Sequence, residues 1–353
     1  MLKIPHNIGE FSQAWLEKAL GSKTGSLRSF KTEPIGTESG ISGQLYRIWI
    51  DWDTPKTTIP RSVVVKLTSD QPERLAQPPH RAAFEREIRF YRDMAADCGV
   101  RTPVIYWSGI DATSGAAALV MEDLGHGTIY ETGTAPIERI EAIVRAITPL
   151  HARWWNNPQL PTMGWLYPTD PPELITRIRE AVPRVRPWYE KHAPALIPLM
   201  EHMPDAMERG LMLPRGSYTL IHGDLGLKNA AFIDDEVVLF DWQLFRYHTP
   251  GMELTELIKD SFGPVEPKEL TAKVITVYHE ALQAAGVTDF SLDELTDSFG
   301  QAVMRGIRSP LLLLGVIIGG PEREVVALRW ATLALSLLDE FELGRRLRDA
   351  LKQ

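Results

Sequence analysis

The 353-residue sequence contains one cysteine, Cys98. No intrachain disulfide can therefore form, and a Cys-rich zinc site is excluded. Long apolar runs are missing as well. The longest, "PLLLLGVIIGG" at 310–320, falls short of the roughly 20 residues a bilayer requires and reads as a buried helix interrupted by Gly315. The opening "MLKIPHNIGEFSQAWLEKAL" has apolar residues at helical spacing, not the uninterrupted run of a signal peptide. A cytoplasmic location without membrane insertion is the expectation. There is no basic excess: the formal net charge is −8, which argues against nucleic acid or an anionic membrane surface as the main partner. No G-x-x-x-x-G-K-[ST] occurs, so a Walker-type NTPase is disfavoured. His6, His80, His126, His151, His192, His202 and His248 are scattered without ligand spacing, which removes a metal hydrolase built on His222 and Asp224.

What remains is an ordinary globular composition, 44% hydrophobic and 24% charged, in a chain long enough for two lobes. The first third reads mostly as strands. "LRSFKTEPIG", "GQLYRIWID" and "SVVVKLT" are β-branched or aromatic-rich and separated by Gly, Pro and Ser clusters. One helix, "HRAAFEREIRFYRDMAADCG", follows, then the strand candidates "TPVIYWSGI" and "AAALVMEDLG". From about residue 135 the pattern is helical almost to the end, except at 217–241, where short strands return. This order predicts an α+β chain: a small β-rich N-terminal lobe with one helix, residues 1–122, and a larger, mainly helical lobe with a β-hairpin insert, residues 123–353. "MEDLGH" at 121–126 is the joint, and the Pro-rich 71–80 reads as a mobile loop.

The hairpin insert carries the chemistry. In "NAAFIDDEVVLFDW", two apolar runs flank Asp234–Asp235, a tight-turn signal. A two-residue turn sets Asn229 opposite Phe240; a three-residue turn sets it opposite Asp241. Either register brings Asn229 and Asp241 within a residue of facing each other, about 5 Å apart. An amide oxygen and a carboxylate so placed can share a hard cation such as Mg²⁺. Upstream, "YTLIHGDLGLKN" puts Asp224 five residues before Asn229, on the loop entering the same hairpin. Singly, each of these residues reads as a turn former or strand end; their convergence points to a metal-assisted site. In phosphoryl transfer of the kinase type, a loop Asp accepts the proton of the attacking hydroxyl, while an Asn five residues later and an Asp after the next hairpin hold the metal.

His222-Gly223-Asp224 and Asp241-Trp242-Gln243, with no long segment before the next helix, resemble the aminoglycoside phosphotransferase and choline kinase superfamily. "FEREIRFYRDM" and "LVMEDLG" make the likeness nearer to its choline-kinase-like, ecdysteroid-kinase-like branch, over roughly residues 36–260. The resemblance implies a protein-kinase-like two-lobe fold and an ATP- and Mg²⁺-dependent O-phosphotransferase acting on a small hydroxyl acceptor. Asp224 would be its general base and Asn229 and Asp241 its metal ligands. Two departures stand out: position 226 is Gly, where relatives place His or Trp, and Lys228 stands where they place a small or amide residue. Lys228 reads as a solvated loop lysine, with a contact to phosphate as the alternative. Glu253 takes the place of an Asp that braces the catalytic loop, and His222 reads as a loop-orienting group.

With ATP as donor, the glycine-rich "GTESGISGQLYRI" would cradle phosphate through Ser39, Gly40 and Ser42. Lys66, closing the apolar strand "SVVVKL", would contact the α- and β-phosphates and pair with a helix glutamate; otherwise it snorkels. Of the two candidates, Glu87 lies on the edge of the buried face beside Met94, and it is favoured over Glu85, which lies beside Arg89 and Arg92. At the joint, backbone groups from Glu122 to Leu124 would bind adenine. A catalytically silent kinase-fold binding protein is the alternative from another class, and an aminoglycoside- or choline-type kinase is the alternative within the class. For the acceptor, residues 171–210 carry six acids and six bases, and "WWNNPQLPTMGWLYP" adds Trp154, Trp155 and Trp165 without a charge. A neutral, partly apolar alcohol fits this better than a polycation.

Overall fold

The computed structural model describes residues 2–21, 26–35, 43–53, 60–68, 78–111, 113–166, 172–210, 215–263, 265–316 and 322–352. In chain order the principal elements begin with α1 (Gln13–Leu20), β1 (Leu27–Pro34), β2 (Gln44–Trp52), β3 (Ser62–Leu67), α2 (Pro78–Asp93), β4 (Ile105–Ile110) and β5 (Ala117–Glu122). Next come β6 (Thr128–Ile129), α3 (Ile137–Arg153), α4 (Pro172–His192), α5 (Ile197–Glu208) and β7 (Thr219–Ile221). The chain continues through β8 (Ala230–Ile233), β9 (Glu236–Leu239), β10 (Arg246–His248) and α6 (Pro250–Ser261), and closes with α7 (Pro267–Ala284), α8 (Leu292–Gly306), α9 (Glu322–Ser336) and α10 (Leu343–Lys352). These form two compact units, one of Met1–Thr128 with Ala231–Leu244, the other of Ile129–Ala230 with Phe245–Gln353. Among the described residues no helix is long and apolar enough to cross a membrane.

The first unit is built on an antiparallel sheet in the order β1-β2-β3-β5-β4. Strand alternation sorts its two faces. Ile48, Ile50 and Trp52 of β2 and Val63, Val65 and Leu67 of β3 join Leu16 of α1 in a buried core. The intervening residue Lys66 projects from the opposite face of β3, where its ammonium lies 5.6 Å from the centroid of the Phe84 ring of α2. Helix α2 buries Phe84, Ile88, Phe90 and Tyr91, and it stops at Asp93, where a short 3₁₀ turn (Ala95–Asp97) takes over before Gly99. The β8–β9 hairpin turns at Asp234–Asp235, with Asp234 at φ 52°, and packs Ala231 and Val238 against Leu124.

Among its described residues the second unit is mainly helical, and its β7–β10 pairing aligns Arg246 with Ile221 and His248 with Thr219. Helix α6 is buried along its whole length, although it carries Glu253, Glu256, Lys259 and Asp260. A Cβ at Gly251 would lie 2.4 Å from backbone atoms of Ser298, so the close crossing of α6 and α8 needs glycine there. The apolar run expected as an interrupted helix forms a π-helical segment over Leu311–Val316, its carbonyls at Gly315 and Val316 accepting from Arg184 and Arg177 of α4.

Candidate active site

Within the first unit, the Lys66 ammonium sits between two carboxylates, 2.8 Å from Glu87 Oε2 and 2.6 Å from Asp241 Oδ1. Lys66 and Glu87 are almost completely buried, whereas a quarter of the Asp241 side chain is exposed. Burial alone would lower the Lys66 pKa, but Asp241 and Glu87 overcome it and hold the ammonium charged. Burial pushes Glu87 up to about 7 despite its lysine partner. The choice between two helix glutamates is resolved: Glu85 pairs with Arg89 one turn along α2, at 2.5 Å.

The segment after the hairpin is clamped onto α2. Trp242 stacks on Phe90 with ring centroids 3.9 Å apart, and Arg86 Nε donates to the Gln243 carbonyl at 3.0 Å. Asp241 itself adopts φ 65°, a left-handed conformation that costs a non-glycine residue on the order of 1–3 kcal/mol. The Tyr91 hydroxyl is raised well above its usual range by burial and by the charges of Glu87 and Asp241.

At the joint, the Glu122 carboxylate accepts from Arg101 at 2.8 Å and from the Val104 N–H, while its own N–H donates to the Val104 carbonyl at 2.8 Å. Leu124 is buried, and its carbonyl accepts from Gly127 N–H at 2.9 Å. The joint is further held by Arg47 Nε, 2.7 Å from Asp123 Oδ2. Ser39, Gly40 and Ser42 lie outside the described residues, as does most of the 71–80 loop.

In the second unit, β7 delivers the loop His222–Gly226, and a 3₁₀ turn, Leu227–Asn229, closes it. Two carboxylates from α6 hold this loop. Glu253 accepts from the N–H groups of both His222 and Gly223, the latter at 3.1 Å, and also lies 3.6 Å from His151 Nε2. Burial raises the Glu253 carboxyl, yet its histidine partners and these backbone donors bring it below the usual range. Two turns further along, Asp260 Oδ2 accepts from Leu227 N–H at 2.7 Å, and Oδ1 from Thr132 Oγ1 at 2.8 Å. Inside the loop, His222 Nδ1 accepts from Asp224 N–H at 3.3 Å. Asn229 Nδ2 donates to both the carbonyl and the carboxylate of Asp224, at 2.8 and 3.2 Å.

Asp224 and Asn229 are thus brought together, as are Lys66, Glu87 and Asp241. Lys228 differs from the sequence expectation: it is no free loop lysine but sits 3.2 Å from Asp224 Oδ2, with its side chain half exposed. Burial raises Asp224, but Lys228, Lys259 and His222 outweigh this and leave the carboxyl below its ordinary value. The glycine at 226 also acquires a physical reason. A Cβ there would lie 2.6 Å from Asp260 Oδ2, so the acid that holds the loop occupies the space a side chain would need. Asp260 and the buried Lys259–Glu256 pair, at 2.8 Å, were not singled out in the sequence. Their signal was four charged side chains in an otherwise apolar stretch, with Glu253 and Asp260 seven residues apart on one helical face.

A loop Asp–Asn pair and a lysine held by a helix glutamate are arrangements of the kind used in phosphoryl transfer. Residues 47–287 match the phosphotransferase enzyme family, APH, and the chain belongs to that family. Solved structures of low sequence identity share its fold. Choline kinase from Cryptosporidium parvum Iowa II is 13% identical with a TM-score of 0.52, over 92% of this chain and 93% of that one. The microcompartment-associated aminopropanol kinase is 14% identical with a TM-score of 0.51, over 94% and 98%. Amicoumacin kinase hAmiN, solved with AMP-PNP, Ca²⁺ and Ami, is 14% identical with a TM-score of 0.51, over 85% and 86%. No curated protein sequence matches significantly.

Proposed function

We propose that this small-molecule kinase transfers the γ-phosphoryl group of ATP, with Mg²⁺, to the hydroxyl of a neutral or partly apolar acceptor. The observation that carries this reading is Lys66, a buried cation held by Glu87 and Asp241 on a strand that begins beside the joint, Val63 opposite Glu122. A charge kept at that cost is suited to contact nucleotide phosphates, with Glu87 aiming the ammonium. The base reads the backbone of the joint. Because the Glu122 N–H is committed to Val104, the contacts fall to the Glu122 carbonyl and the Leu124 N–H. Ser39, Gly40 and Ser42 are proposed to cover the phosphates.

Asp241 and Asn229 each offer the kind of oxygen donor a hard cation takes. Among the described residues, Asp241 Oδ2 is approached by Gln243 at 3.5 Å, and Asn229 turns its NH₂ to Asp224. Among the described residues no group of three or more His, Cys, Asp or Glu side chains is arranged around a metal. Mg²⁺ suits so sparse a set, since it ordinarily takes one or two protein ligands and completes its shell with phosphate and water. Held by Asp241 and Asn229, it would supply positive charge that offsets the charge of the phosphates. Asp224 accepts the hydroxyl proton and orients the oxygen for attack, with Asn229 and the His222 ring holding its carboxylate and backbone in place.

A neutral acceptor is supported by the pairing of charges in the 171–210 stretch. Arg179 binds Asp205 and Glu208, and Arg186 binds Glu190 and Glu201, so those acids are already engaged. Trp165 stacks on Phe245 and Trp155 meets Phe290 edge-on, supplying apolar surface. The test is a competitive acceptor panel with calorimetry of nucleotide binding. An uncharged hydrophobic or aromatic alcohol should outperform aminoglycosides, and Asp241→Ala should weaken Mg²⁺-ATP binding far more than metal-free ATP binding. Equal losses with and without Mg²⁺ would refute the metal role.

A further inference from the structure

We propose that Lys228 is a catalytic cation of the transfer step: its ammonium, resting on Asp224, contacts the phosphoryl group as that group passes to the hydroxyl. This rests on the reading of Asp224 as the base.

Three observations carry it. The Lys228 backbone is pinned, because Leu227 N–H is held by Asp260 and Asn229 N–H by the Gly226 carbonyl at 3.1 Å. From that fixed turn the side chain reaches Asp224 Oδ2 at 3.2 Å while 54% of it stays exposed. An ammonium has three N–H donors, and the carboxylate takes one of them. Next, Lys228 is the sole hydrogen-bonding side chain between Asp224 and Asn229. Leu225 and Leu227 are apolar and buried, and position 226 is glycine, where a Cβ would press on Asp260. Third, an ion pair with one half-exposed partner contributes on the order of 1 kcal/mol or less, a small reason to set a lysine on the base.

The chemistry supplies a larger reason. To accept a hydroxyl proton, the Asp224 carboxylate must meet the acceptor oxygen. The bond that forms joins that oxygen to the γ-phosphorus, and the one that breaks joins the phosphorus to the bridging oxygen, which leaves with ADP. The hydroxyl proton goes to Asp224. Lys228 transfers no proton; it donates an N–H to a non-bridging oxygen of the group in flight, at the point where the carboxylate and the phosphoryl oxygens would otherwise repel each other. The side chain missing at 226 is thereby replaced from two positions further on.

The experiment compares wild type, Lys228→Met, Lys228→Arg and Asp224→Asn, with circular dichroism to check folding. Activity is read as ATP turnover with the best acceptor of the panel and with water alone. Binding is measured for a non-hydrolysable ATP analogue and for Mg²⁺-ADP with aluminium fluoride, a mimic of the transferred group. Lys228→Met should lower kcat about 10²–10³-fold. KM for ATP and analogue affinity should stay within about twofold, while aluminium fluoride binding falls with kcat and Lys228→Arg restores much of the loss. A Met variant with full kcat, or one whose loss lies in acceptor KM or in analogue affinity, overturns the proposal. If Asp224→Asn is inactive while Lys228→Met is fully active, only the role of Lys228 fails. If Asp224→Asn is itself active, the reading of the base fails with it.

Discussion

The two charged clusters are inverted copies of one idea. In the first unit a single cation, Lys66, is shared by two carboxylates; in the second a single carboxylate, Asp224, lies under the influence of Lys228 and Lys259. The first is sealed, with Lys66 and Glu87 nearly inaccessible, while the second opens to solvent through a half-exposed lysine. The first holds two carboxylates to one ammonium. In the second, Lys259 is itself paired with Glu256, so cations do not outnumber acids. Neither is a device for stability, because buried ion pairs of this kind roughly break even against an apolar replacement. They also respond to pH with opposite signs. Glu87, raised from 4.5 to about 7, contributes stability below 4.5 that is lost as pH rises through 7. Asp224, lowered, contributes stability above the ordinary carboxylate range that is lost only as pH falls through its depressed value.

The largest expected effect breaks the second cluster: Asp224→Asn should cut turnover by about 10²–10⁴-fold and leave nucleotide binding intact. A variant with more than half of wild-type kcat would show that the inverted pair is no base. The next effect tests the sign in the first cluster. In metal- and nucleotide-free protein, urea unfolding from pH 5 to 8 should show wild type losing stability relative to Glu87→Gln, with a slope of up to about 1.4 kcal/mol per pH unit. Parallel curves would mean that Glu87 does not titrate in that window. A smaller effect concerns the loop. Gly226 has φ −168°, which any residue adopts, so Gly226→Ala costs only the clash with Asp260, about 1–3 kcal/mol of unfolding free energy. In an Asp260→Ala background the same change should be nearly free; equal costs in both backgrounds would remove Asp260 as the reason for the glycine. The smallest is Glu85→Gln, whose partly exposed pair with Arg89 should contribute no more than about 0.5 kcal/mol, measured by the same unfolding curves.

Local pattern made the strands, the β8–β9 turn and the closeness of Asp224 to Asn229 readable, because each depends on spacing within about 20 residues. Helical phase, together with the family's pattern, favoured Glu87 over Glu85. Lys228 and Asp260 were not readable in the same way. The first changes from a solvated lysine to an Asp224 partner only when the 3₁₀ turn brings position i+4 back to i, and the second matters only because α6 folds beneath a loop more than 30 residues earlier in the chain. The glycine at 226 looked like a loss in sequence. In three dimensions it is the space that Asp260 fills.

The grip of α6 on the loop has a spectroscopic consequence. The amide hydrogens of His222, Gly223 and Leu227 are held by side-chain carboxylates of one buried helix, not by strand partners. Their exchange with deuterated solvent should therefore follow the opening of α6, slowly and together, while amides on exposed turns exchange freely. A loop that would count as irregular by its backbone then belongs, on the timescale of hours, to the most protected helix of its unit.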